Sequence, residues 1–147
     1  MEFRLIVDPE QREEVVARVH ERSALTDRIE LLVMEYSGTD WIPAYTVDEM
    51  KKLPYAEIEC ITVLDGKTCA IDVHGARYRL KCRLYEVEEL LPSCFVRINK
   101  SAIANETRLE RFSASFSGAV DAVFKCGYRE YVSRRCFAAI KRRLEHT

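Results

Sequence analysis

Residues 58–82 read Ile58-Glu59-Cys60-Ile61-Thr62-Val63-Leu64-Asp65-Gly66-Lys67-Thr68-Cys69-Ala70-Ile71-Asp72-Val73-His74-Gly75-Ala76-Arg77-Tyr78-Arg79-Leu80-Lys81-Cys82. The first six are rich in β-branched side chains, which pack well on a pleated surface, and predict a strand. Asp65-Gly66 is a two-residue hairpin signal, because a type I′ turn needs positive φ at both central positions. Cys69, Ile71 and Val73 then alternate into a second turn at His74-Gly75, and Tyr78, Leu80 and Cys82 alternate beyond it. Three sequential strands joined by tight turns predict an antiparallel meander.

The same periods extend outward from this stretch. Downstream, Val87, Leu90 and Leu91 share one face of a short helix over Tyr85–Leu91 that Pro92 stops. Phe95-Val96-Arg97-Ile98 resumes an extended form, and residues 107–117 alternate through Leu109, Phe112, Ala114 and Phe116. Gly118 turns the chain into Val120, Ala122 and Phe124, followed by Gly127. The last element, Ser133 to His146, reads as a helix capped by Ser133, with Phe137, Ile140 and Leu144 toward the core and Arg134, Arg135, Lys141, Arg142 and Arg143 on other faces.

Upstream, Ile42, Ala44 and Thr46 alternate from Trp41 onward, and Met50 to Pro54 suits a second short strand. Phe3, Leu5 and Val7 predict a strand at the amino terminus. Asp8-Pro9-Glu10-Gln11 carries a helix start, with Val15, Val16 and Val19 on one face of the helix expected to follow. A second helical pattern runs through Ile29, Leu32, Val33 and Tyr36 to Ser37-Gly38. The fold expected is α+β and mostly β. It has an antiparallel strand core with a carboxy-terminal amphipathic helix, preceded by a short strand-helix extension. The boundary falls between residues 1–40 and 41–147.

Composition excludes several classes. With 147 residues, 48% hydrophobic and 32% charged, the chain suits one ordinary globular domain or a small domain with an appendage. No apolar run approaches the roughly 18–20 residues of a membrane span. Met1–Asp8 lacks the basic start and cleavage site of a secretory signal, so no membrane insertion and a cytoplasmic location are expected. The six cysteines form no C-x-x-C pair and have no histidine at ligand spacing, which disfavours zinc and suits reduced, buried thiols. A phosphate-binding glycine loop, a nucleophile elbow and a metalloprotease helix motif are all missing from the sequence, so no catalytic residue and no cofactor is expected. No helix pair joined by a short turn lies in a basic region, which disfavours a helix-turn-helix reader.

The net charge of −1 conceals a division. Residues 95–147 hold eleven Lys and Arg against five Asp and Glu, a balance of +6, and residues 1–94 carry −7. A localised basic surface is what phosphate binding needs. Residues 1–40, with five basic and ten acidic groups, do not seek phosphate.

The basic third contains Phe95-Val96-Arg97-Ile98-Asn99-Lys100-Ser101-Ala102-Ile103-Ala104-Asn105. Asn makes bidentate bonds to adenine, Lys and Arg reach guanine or phosphate, and Ser serves either. The bare composition also fits a strand end and a capped turn with solvated side chains. The pattern F-x-R-x-N-K-S-x-I-x-N, followed some thirty residues later by Val132-Ser133-Arg134-Arg135 and a basic amphipathic helix, resembles the LytTR DNA-binding family of bacterial response regulators. Tyr55, Ile58 and Glu59 leading into Asp65-Gly66-Lys67, and a short helix ending Glu88-Glu89-Leu90-Leu91, extend the resemblance over about residues 41–147.

The resemblance implies a β-rich reader of double-stranded DNA at promoter repeats that uses loops instead of a recognition helix. Carried over residue by residue, it implies contacts from Lys67, Asn99, Lys100 and Arg135, with Ser101 and Arg134 suited to phosphate. Arg97, set between Val96 and Ile98, suits either a DNA contact or a brace for the fold, and Asn105 suits a cap. Many family members carry an amino-terminal receiver domain, for which forty residues are too few, so the chain resembles the stand-alone subgroup. The amphipathic extension is expected to mediate homodimerisation or contact with a regulatory partner protein. A small β-rich protein-interaction module is the alternative reading.

Overall fold

The computed structural model describes residues 1–145. The order of elements is α1 (Ala24–Tyr36), β1 (Trp41–Tyr45), β2 (Met50–Pro54), β3 (Ile58–Leu64), β4 (Lys67–Asp72), β5 (Arg77–Arg79), α2 (Leu84–Leu90), β6 (Phe95–Asn99), β7 (Ala102–Asn105), β8 (Leu109–Ala114), β9 (Val120–Phe124), β10 (Arg129–Val132) and α3 (Arg134–Glu145). Two antiparallel sheets hold the strands. One runs β2-β1-β5-β4-β3-β7-β6 and the other β10-β9-β8.

The meander forms as the sequence predicts. Asp65 and Gly66 both adopt positive φ, 52° and 74°, and set Leu64 opposite Lys67. Gly75 makes the second turn at φ 79°, stapled by the Asp72 carboxylate, which accepts from the His74 and Ala76 backbone N–H groups at 2.9 Å each. Successive side chains point to opposite faces of a strand, and the central strands are buried on both: Ile58–Thr62 of β3 and all of β7 are buried. On one face of the large sheet Ile42, Ala44, Leu53, Ile58, Ile61, Ala70 and Ile103 form a core that α2 closes with Leu84 and Val87. On the other, Cys60, Ala102 and Ala104 pack against Ala122 and Phe124 of the small sheet and Ile140 of α3. Residues 95–105 form a hairpin, with β7 occupying the positions where a capped turn was the alternative. Asn105 does act as a cap, its side chain accepting from the Thr107 N–H at 3.1 Å while its amide donates to the Ile58 carbonyl at 2.9 Å.

A buried polar knot ties the large sheet to the turns around the small one, and a half-buried bond adjoins it. The fully buried Glu59 accepts from the Arg108 guanidinium and from the Cys126 N–H at 2.8 Å. Glu130 accepts from the Tyr128 hydroxyl at 2.6 Å on the adjoining side. Burial, reinforced by the Glu130 carboxylate, raises the Tyr128 hydroxyl above its ordinary value, and burial pushes the Cys94 thiol up to about 11. All six cysteines are free thiols.

The amino-terminal expectation needs correction. The helix through Ile29, Leu32, Val33 and Tyr36 is present as α1, but residues 1–22 form neither the strand nor the first helix. The Asp8 carboxylate does accept from the Glu10 N–H at 3.1 Å, so the start signal is made without a helix to follow. The reason is burial: Phe3 is 91% exposed and Val15 63%, and a short helix with no surface to pack on is marginal in water. The expected end of α3 at His146 lies outside the described residues. No helix of the described residues is long and apolar enough to cross a membrane.

Candidate nucleic-acid interface

Backbone pairing draws the polar motifs of the sequence to one end of the molecule. Thr62 pairs with Ala102 and the Val63 N–H donates to the Ser101 carbonyl at 3.0 Å, which sets the β6–β7 turn beside the β3–β4 turn. The Ser133 N–H donates to the Ile98 carbonyl at 2.8 Å, which brings the start of α3 against the end of β6. Lys67, Lys100, Ser101, Arg134 and Arg135 therefore share one loop-lined end although up to 68 positions separate them in sequence. The β8–β9 turn at Ser117-Gly118-Ala119 borders the same end, where it lines a hollow with Arg134.

These residues differ in how free they are. Lys67, Lys100, Arg134 and Arg135 are exposed and their side chains hold no ion pair among the described residues. Ser133 caps α3, its hydroxyl accepting from the Cys136 N–H at 3.2 Å, and so aims the first turn, with Arg134 and Arg135, out of the body. Ser101 is half-buried, with its N–H held by the Asn99 side chain at 2.6 Å.

Asn99, expected to contact DNA, is occupied inside the protein, and Arg97, for which a brace was the alternative to a DNA contact, is paired at the surface. Asn99 is 8% exposed, and its amide donates to the Tyr131 carbonyl at 2.6 Å while its oxygen accepts from the Ser101 N–H. Both ends of the amide are spent tying the β6–β7 turn to β10. Arg97 pairs with Glu88 of α2 and donates to the Lys100 carbonyl at 2.8 Å, bracing the same turn from below. Their geometry is that of a mount, with Lys100 at its tip. Sequence reading left Arg97 open between the two roles and missed that of Asn99, because a polar side chain aimed inward and one aimed outward look alike without the partner strand.

Three basic groups outside the motifs lie near. Arg79 and Lys81 line a shallow groove with Lys67, the β1–β2 turn forming its other wall, and Arg77 stands two residues before Arg79 on the same face. The alternation of Arg77, Arg79 and Lys81 is the signal that could have found them.

On this geometry the likeness to known proteins takes on meaning. The family described as "LytTr DNA-binding domain" matches residues 48–145. Two relatives, each an uncharacterized HTH-type transcriptional regulator, come from Staphylococcus aureus strains NCTC 8325 and bovine RF122. Each is 28% identical over 123 residues, covering 82% of this chain and 83% of the relative. A LytTr DNA-binding domain from Bacillus cereus superposes with a TM-score of 0.63 at 22% identity, over 71% of this chain and 96% of that one, a likeness of fold. No two helices among the described residues are joined by a short turn, so the helix-turn-helix of the relatives' names has no counterpart here.

Proposed function

Because the chain belongs to the LytTR DNA-binding family, we propose that it is a sequence-specific transcription regulator that reads double-stranded DNA with the loop end of its β-scaffold. Residues 41–147 form the reading unit, and residues 1–40 form an extension to it. The observation that carries the reading is the convergence of three free cations, Lys67 at the start of β4, Lys100 in the β6–β7 turn and Arg135 in the first turn of α3, onto one end. Lys and Arg are suited to guanine edges, and presenting them from the ends of three separate elements spreads the contacts instead of concentrating them on one recognition helix. Arg134 and Ser101 flank them as phosphate ligands, and Asn99 and Arg97 hold the Lys100 turn in place.

Dimerisation on paired promoter repeats accompanies this reading. On α1, Asp27, Glu30, Leu31 and Met34 turn toward the body, and Leu25, Leu32, Val33 and Tyr36 are left exposed. An apolar stripe of this kind is self-complementary across a two-fold axis, which would match a symmetric pair of sites. A regulatory partner protein would use the same stripe. Cytoplasmic location follows from the proposed target.

The test is selection of bound duplexes from a random pool followed by salt titration of the winner. An enriched sequence and a steep fall in affinity with salt are expected. A pool without enrichment over random DNA would overturn the reading.

A further inference from the structure

We propose that the open part of the large sheet, β1, β2 and β5, is a second contact surface that grips the duplex backbone beside the base-reading loops. This rests on the duplex-binding reading above and adds to it a surface that the motif residues do not include. Tyr45 pairs with Arg79 across β1 and β5, and Pro43 with Lys52 across β1 and β2, so these side chains share one face. That face also carries Trp41 and Arg77. The small sheet covers its far side, over Cys60, Ala102 and Ala104, and leaves Arg77, Arg79, Lys52 and Lys81 exposed.

The chemistry points to phosphate. Arg77 and Arg79 hold no ion pair among the described residues, whereas Arg22, Arg97, Arg108 and Arg129 each have a carboxylate. Lys81 lies over the Tyr45 ring with Nζ 4.2 Å from its centroid, and Lys52 over Trp41 at 4.8 Å. A ring face beneath an ammonium holds the charge in place without neutralising it. The same covering removes both rings as stacking platforms for unpaired bases, so the surface suits a duplex backbone and not a single strand. The groove shared by Lys67, Arg79 and Lys81 makes the surface continuous with the loop end. Asp48 and Glu49 on its opposite wall are the carboxylates a passing strand would meet.

The experiment compares the full chain with Arg79→Gln/Lys81→Gln and Lys100→Ala on the selected duplex, a scrambled duplex and a single strand. Loss of two phosphate contacts lowers the log–log salt slope by about two and weakens selected and scrambled duplexes alike, leaving the preference between them unchanged. Lys100→Ala instead reduces that preference. An unchanged slope in Arg79→Gln/Lys81→Gln, with Lys100→Ala still impaired, overturns the second surface alone. Tighter binding of single strand than of either duplex overturns it in favour of a single-strand platform. Absence of any duplex preference in the unaltered chain overturns the parent reading and this one together. Should Arg79→Gln/Lys81→Gln fail to fold, Asp48→Asn/Glu49→Gln decides: tighter duplex binding supports the surface and unchanged binding overturns it.

Discussion

At Asn99 a side chain expected to read DNA is spent inside the protein, while its neighbour Lys100 is left bare. The amide bridges the Tyr131 carbonyl and the Ser101 N–H, so its removal leaves two partly buried backbone groups without their partner. Asn99→Ala should cost about 1–3 kcal/mol of stability, read by denaturant unfolding. Lys100→Ala and Arg135→Ala should leave stability near that of the parent and cost about 1–3 kcal/mol each in binding to the selected duplex if they meet base edges. Equal losses on selected and scrambled DNA would reassign them to phosphate. Glu59 follows the logic of Asn99 with a full charge. It is fully buried and held by Arg108, so Arg108→Ala strands a carboxylate and should destabilise by about 3–5 kcal/mol.

Among the elements, the β3–β4 hairpin and α1 show how local chemistry places function. Gly66 sits at φ 74° with open space around its Cα, so only backbone strain opposes a side chain there. Gly66→Ala should cost about 1–2 kcal/mol and move Lys67, which thermal unfolding and duplex affinity measure separately. α1 is tied to the body by polar links more than by burial, and none of its residues is fully buried. Glu30 accepts from Ser93, and Arg22 reaches Glu106, which also accepts from Arg143 of α3 at 3.2 Å. The extension is thus linked through Glu106 to the far end of the helix whose first turn carries Arg134 and Arg135.

For the whole molecule, buried neutral acids set the alkaline limit. Burial raises the Cys94 thiol to about 11, and burial also raises the Cys60 thiol and, with Glu130, the Tyr128 hydroxyl. Unfolded, these groups lose protons at lower pH than they do when folded. Their contribution to stability is complete below the unfolded thiol value near 9 and is lost as pH rises through the folded ones. Stability should hold from pH 7 to about 8.5 and fall between about 9 and 11, monitored by urea midpoint against pH. A midpoint that stays constant to pH 11 would contradict the buried, protonated assignment.

The amino-acid order alone determined the meander, the short α2, the basic capped α3 and the family pattern around Lys100. Each of these is local: turn residues with positive φ, a period of two or 3.6, or a cap a few positions from what it caps. Tertiary structure decided everything that depends on a distant partner. It turned Ala102–Asn105 into a strand by pairing it with β3, and it left residues 1–22 without a strand or helix by giving their apolar side chains nothing to cover. It also sorted Arg97 and Asn99 from Lys100, since whether a polar group faces a carbonyl or the solvent is fixed by the strand and helix packed beside it. Alternation left Arg97 open between brace and contact and gave no sign for Asn99, because the partners at Glu88 and Tyr131 lie 9 and 32 positions away.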